Sequence, residues 1–153
     1  MADLVQLNGP DAAEALRAAG EASRGFLGLD PVVQNDALLT RELARLDGRV
    51  FRVGDALVGA APNPAQPRQA LVACTHDDEA AVRSLVEFLV TYRRNTSFLA
   101  LVPEGSPAVA GFLRAGLTDR GVLRDHRYAS GSYHDVRVLF GTGDQRTGDA
   151  CRS

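Results

Sequence analysis

The chain has 153 residues, 45% hydrophobic and 24% charged, with a formal charge of -2. That size and composition suit one folded soluble domain with a real core. The near-neutral balance leaves no polyanion footprint, so nucleic acid is not an expected partner, and no apolar run nears the ~20 residues of a membrane helix.

In chain order, Leu4–Leu7 reads as a first strand, broken by Asn8-Gly9-Pro10-Asp11. Asn8 or Asp11 can cap a helix over Ala12–Ala22, since a short side-chain acceptor satisfies free N–H groups at a helix start. Gly25 and Gly28 loosen the next segment. Asp30-Pro31 then predicts a second helix, with proline suited to the first turn. Its stripe of Val33, Leu38, Leu39, Leu43 and Leu46 runs to Asp47-Gly48. Arg49–Val53 and Ala56–Ala61 are strands joined at Gly54-Asp55, a hairpin signal. Residues 62–67 hold three prolines, which remove donors and fix φ, and read as a loop. Gln69–Thr75 is apolar enough for a central strand.

Asp77–Arg94 is the clearest helix, with Val82, Leu85, Val86 and Leu89 on one face. Asp77, Asp78 and Glu79 load its first turn, where carboxylates complement the helix dipole. Ser97–Val102 is another buried strand, and Ser106–Ala115 a short helix stopped by Gly116. Leu117–Tyr128 and Tyr133–Phe140 form a closing hairpin, the second arm alternating cleanly. The expected organisation is one domain over residues 1–140 and a polar flexible tail over 141–153. The expected fold is α/β with a mixed sheet, in the order β-α-α-β-β-β-α-β-α-β-β.

Two cysteines, Cys74 in an apolar run and Cys151 in the tail, make neither a disulfide framework nor a metal-ligand pattern. With no basic start or long apolar core at the N-terminus, the expected location is the cytoplasm. His126 and His134 sit beside Asp125 and Asp135 on the two hairpin arms, without i, i+2 or i, i+4 ligand spacing, so no metal is expected.

Several residues could carry chemistry. His76 closes the central strand beside Cys74 and could act as a general base; the plainer reading is a strand-end histidine bonded to Asp77 or solvent. Cys74 is a nucleophile only if its thiolate is exposed and favoured, and otherwise a buried thiol. Tyr128, Tyr133 and His134 could line an acceptor pocket, or simply pack.

Three segments carry a family resemblance. Gly105-Ser106-Pro107-Ala108, then Phe112, then Gly116-Leu117 hold the spacing of a signature running Asn, Ala, Tyr, Gly-Phe. Gly121-Val122-Leu123-Arg124-Asp125-His126 and Gly131-Ser132-Tyr133-His134-Asp135 match a closing hairpin of the form G-x-L-R-x-H and G-x-Y-x-D. With the element order, these resemble the GNAT acyltransferase superfamily, most closely the branch that acetylates ribosomal-protein N-termini and small amines. The resemblance implies a cleft between two splayed strands, an acyl-CoA or acyl-carrier thioester as donor, and a small-molecule or acyl-carrier partner. It places Val72, Ala73, Asp77, Asp78, Ala80 and Phe112 along the cofactor path, with strand N–H groups near Val72–Cys74 polarising the thioester carbonyl.

The family's pyrophosphate loop is glycine-rich, so that backbone N–H groups and the helix dipole meet the anion. Here the helix opens on Asp77-Asp78-Glu79-Ala80 instead. Two like charges ~4 Å apart repel by about 1 kcal/mol in water and by more near a protein surface. Phe112 replaces a tyrosine that protonates the leaving thiolate. Both departures argue against ordinary acetyl-CoA-dependent activity. Three functions remain open: an acyltransferase acting on an amine or biosynthetic intermediate without the usual loop, the same fold repurposed for a CoA-independent reaction, and an inactive binding or interaction module. The open edge of the last hairpin allows a homodimer.

Overall fold

The computed structural model describes residues 3–129 and 131–143. The chain runs β1 (Val5–Leu7), α1 (Gly9–Ala19), α2 (Asp36–Leu46), β2 (Arg49–Val53), β3 (Ala56–Asn63), β4 (Gln66–Cys74), α3 (Glu79–Tyr92), β5 (Ser97–Pro103), α4 (Ala108–Arg114), β6 (Thr118–Ala129) and β7 (Ser132–Thr142). This is the element order expected from the sequence. The strands form one sheet in the order β1-β2-β3-β4-β5-β7-β6. Neighbours are antiparallel except β4 and β5, which are parallel.

Strand alternation sends apolar side chains to both faces, so the sheet is covered on both sides. On one face α3 and α4 bring Val82, Leu85, Leu89 and Phe112 against Phe51, Val58, Phe98, Ala100 and Leu139. On the other, α1 and α2 bring Leu16, Leu39 and Leu43 against Val50 and Leu57, with Phe26 between them. Gly59 is bare where Phe26 docks: a Cβ there would stand 2.6 Å from the ring.

Several boundaries differ from expectation. Asn8 is the cap of α1, its side chain accepting the Asp11 N–H at 2.9 Å. The helix ends at Ala19, and Gly20–Ser23 tightens into a 3-10 turn. Asp30-Pro31 does not open a helix. Residues 31–34 form a turn in which the Asp30 carbonyl accepts from Val33 and Gln34. The cap of α2 is Asn35, which accepts the Leu38 N–H at 2.8 Å. Residues 62–67 are not a loop but the end of a β3–β4 hairpin turning at Pro64-Ala65. Its tip, residues 64–68, is exposed, so prolines there deprive no buried ladder partner. Asn63 holds the turn, accepting from Ala65 N–H at 3.0 Å and donating to Gln69 at 2.7 Å.

Residues 141–143, expected to be part of a flexible tail, are ordered in the sheet. β7 continues through Thr142, and the Gly143 N–H donates to the Thr96 carbonyl at 2.9 Å. Residues 144–153, including Cys151, lie outside the described residues.

Two features of this sheet make the site. β4 and β5 share only the register pairs Gln69↔Ser97, Ala70↔Phe98 and Leu71↔Leu99, then part. β6 carries a bulge: Leu123 faces Val136, yet Arg127 already faces His134. Four residues of β6 therefore advance over two of β7. Asp125 sits in the bulge at φ 50°, its N–H held by the Asp135 carboxylate at 2.9 Å. A bulge bends its strand and re-aims side chains, here those of His126, Arg127 and Tyr128.

Candidate functional site

Beyond Leu71 and Leu99 the parted strands bound a cavity of about 390 Å³. Its walls are largely apolar: Leu27, Leu71, Val72, Leu99, Leu101, Pro103 and Val136. The polar side chains reaching it are His126, Arg127 and Tyr128, delivered by the bulge. It opens on the face of the sheet covered by α1 and α2. A second cavity of about 460 Å³ lies alongside, lined by Arg24, Glu104, Ser106, Arg127 and His134 among others.

Arg127 and Pro103 line both cavities. Gly25, in the lining of the first, has φ 83°, and a Cβ there would stand 2.4 Å from Pro103 Cγ and 3.6 Å from Arg127 Nη1. A side chain there would be strained by both backbone and space. Asp30 lies within 3.4 Å of Arg24 and 3.7 Å of Arg127, and the three side chains are 19%, 16% and 16% exposed. Arg127 also donates to the Leu29 carbonyl at 3.1 Å.

Between the parted strands little space is left. The gap there, lined by Arg24, Phe26, Ala73, Cys74, Val102 and Phe112 among others, measures about 10 Å³, room for at most about one water. Val72, Cys74 and Phe112 belong to the buried core there. Burial pushes the Cys74 thiol up to about 11, and its S–H donates to the His76 carbonyl at 3.3 Å. A buried, protonated thiol is not a nucleophile at neutral pH. His76 is exposed at the end of β4, its Nδ1 2.6 Å from the Thr75 hydroxyl. It lines neither large cavity.

The start of α3 is satisfied by its own residues. Asp78 caps it, accepting the Ala81 N–H at 3.0 Å. Asp77 binds Arg114 at 2.5 Å, and Glu79 binds Arg83 at 2.7 Å and Arg114 at 3.5 Å. The Arg83 hydrogen bond in particular holds the Glu79 carboxyl below the usual carboxylate range. Arg83 donates in turn to the Arg114 carbonyl at 2.8 Å. Gly111 of α4 lies directly on this turn: a Cβ there would stand 2.8 Å from the Asp78 nitrogen. Ala80 is exposed in the same turn, and Ala73 is half-buried against the α1–α2 core.

The residues expected to line an acceptor pocket divide. Tyr128 lines the 390 Å³ cavity and His134 the second one. The Nε2 atom of His134 is 2.9 Å from the Ala129 carbonyl. Tyr133 lines neither and packs edge-on against Tyr128, ring centres 5.0 Å apart. Sequence reasoning missed Arg24, Asp30 and Arg127, which sit far apart in the chain. Among the described residues, no three His, Cys, Asp or Glu side chains gather as a metal-ligand set, and no helix is long and apolar enough to cross a membrane.

In sequence, no family model and no curated protein matches the chain. In structure, it is similar to spermidine/spermine N-acetyltransferase SpeG of Vibrio cholerae. Against mutant forms of that enzyme the TM-score is 0.70 at 16% identity, over 98% of this chain and 99% of that one. Against spermidine N-acetyltransferase of Vibrio cholerae in complex with CoA and spermine it is 0.72 at 15% identity, over 94% and 96%. A further SpeG mutant gives 0.73 at 15%, over 97% of each chain. The fold is that of the GNAT acyltransferases. Within a GNAT fold, the parting of β4 and β5 is the expected cleft, and the start of α3 the expected seat of the CoA pyrophosphate. The residues present do not fit that group. Carboxylates cap and flank the turn, the neighbouring arginines are bound to them, α4 covers the backbone, and the gap leading inward is closed.

Proposed function

We propose that this GNAT-fold chain holds a small molecule in the acceptor half of its cleft and does not transfer acyl groups from CoA seated on α3. One contrast carries the reading. The first turn of α3 is capped and ion-paired by its own side chains, while a cavity of about 390 Å³ stands on the other face. That volume is within the ~300–1,000 Å³ of small-molecule sites, and mostly apolar walls with a few convergent polar groups are typical of them.

Thermal unfolding with acetyl-CoA or free CoA at millimolar concentration tests the first half. A specific ligand at 100 times its Kd stabilises by about 2.7 kcal/mol. The expected result is no rise in Tm with either; a saturable rise overturns the reading.

One observation favours a second reading, acyl transfer to an amine from a thioester without the nucleotide. Past Leu71 and Leu99, the facing edges of β4 and β5 make no ladder with each other, which leaves backbone N–H groups for an incoming carbonyl. In that transfer the neutral amine nitrogen bonds to the carbonyl carbon, the C–S bond breaks, and the proton lost from nitrogen passes to the thiolate, which leaves as the thiol. Thiol release from acetyl-N-acetylcysteamine with a panel of amines tests it; a rate no faster than without protein removes it.

A further inference from the structure

We propose that the 390 Å³ cavity takes an organic carboxylate with an apolar body, its anionic head against Arg127 and its hydrocarbon against Leu27, Leu71, Leu99 and Leu101. This rests on the cavity being the ligand site, and it names the class of ligand. Among the described residues no carboxylate side chain lines the cavity; the charged or titratable side chains that do are Arg127, His126 and Tyr128. A cationic or polyamine ligand would meet a lining whose one fixed charge is the Arg127 cation, the nearest carboxylate, Asp30, lying behind it at 3.7 Å and outside the lining, which is unfavourable in a partly desolvated setting. An anion meets the reverse.

The surroundings of Arg127 point the same way. Arg24 and Arg127 share Asp30 as their common, largely covered carboxylate. The buried Nε of Arg127 has no hydrogen-bond partner among the described residues. Glu21 lies 3.7 Å from Arg24 and is 77% exposed, and Glu104 is bound to Arg137 at 3.0 Å. A guanidinium presents a planar fork that matches a carboxylate. The apolar walls then require a body that gains from leaving water.

Calorimetry of the full chain with octanoate, octanamide, octylamine and spermidine, all well below micelle-forming concentrations, tests this. The three eight-carbon probes share one chain and differ in head-group charge. Octanoate should bind at least tenfold more tightly than octanamide, with octylamine weaker still and spermidine silent. Arg127→Gln should weaken octanoate at least tenfold and bring it level with octanamide, and Arg127→Lys should recover part of the difference. If the Arg127 variants do not fold, the ranking on the unaltered chain decides alone. Equal binding of octanoate and octanamide removes the carboxylate assignment and leaves the cavity as a site. Tighter binding of octylamine or spermidine overturns the assignment outright. Silence from all four removes both the assignment and the cavity reading beneath it.

Discussion

Cys74 shows how much a single environment decides. Its sulfur sits in the α3 face of the core, and burial raises its pKa to about 11 despite the hydrogen bond to the His76 carbonyl. In the unfolded chain the thiol ionises near its ordinary value of 9.0. Below that value both states are protonated and stability is unaffected. Between it and about 11 the unfolded state releases its proton first, so stability falls as pH rises. The gap corresponds to roughly 3 kcal/mol. Denaturant unfolding at pH 8 and pH 11 should therefore show the unaltered chain losing about that much more than Cys74→Ala. Equal losses would show that the thiol is not held protonated by the fold. Burial of this cysteine was legible in QALVACT, because an apolar strand next to an amphipathic helix places alternate residues in the core. The role of Arg127 was not legible. It depends on Arg24 and Asp30, roughly a hundred residues away, and on a bulge.

At the scale of elements, α3 is the clearest case of a sequence signal carried into structure. Its apolar face, its length and its acidic first turn all appear. Asp78 rather than Asp77 is the cap, and the helix proper starts at Glu79. Asp78→Ala should cost about 1 kcal/mol, the usual loss when a capping side chain is truncated. This reads as a lower urea midpoint with an unchanged slope; an unchanged midpoint would mean that water or Asp77 takes over the cap. Other boundaries were hidden for nameable reasons. Asp30-Pro31 looks like a helix start, but the Gln34 side chain accepts the Asp30 N–H and closes a turn there, and Asn35 takes the cap instead. Proline composition suggested a loop at 62–67, yet an exposed hairpin tip tolerates missing donors. The alternation of β6 fails at residues 124–126 because Asp135, ten residues beyond Asp125, holds that backbone in a bulge. Periodicity within one segment carries no trace of such a partner.

At the scale of the whole molecule, the two apolar layers are opposite faces of the same strands. Val50 and Leu57 face α1 and α2, while their neighbours Phe51 and Val58 face α3 and α4. Neither layer can be exposed without disturbing the other, so calorimetric unfolding should be a single transition with calorimetric and van't Hoff enthalpies equal. Two resolved transitions would show that the faces melt separately. The parallel seam between β4 and β5 has a mechanical consequence. It divides the sheet into two antiparallel blocks, β1–β4 and β5–β7–β6, which meet in only three register pairs. The arms beyond the seam, residues 72–74 and 100–103, are about as long as the seam, ~10–13 Å at ~3.3 Å per residue. Each arm is backed by its own antiparallel neighbour, β3 behind one and β7 behind the other. The opening therefore behaves as a braced jaw with little leverage over its own hinge. Its gape is set by the fold, so a molecule entering the proposed site would be limited by its thickness before any polar group is consulted.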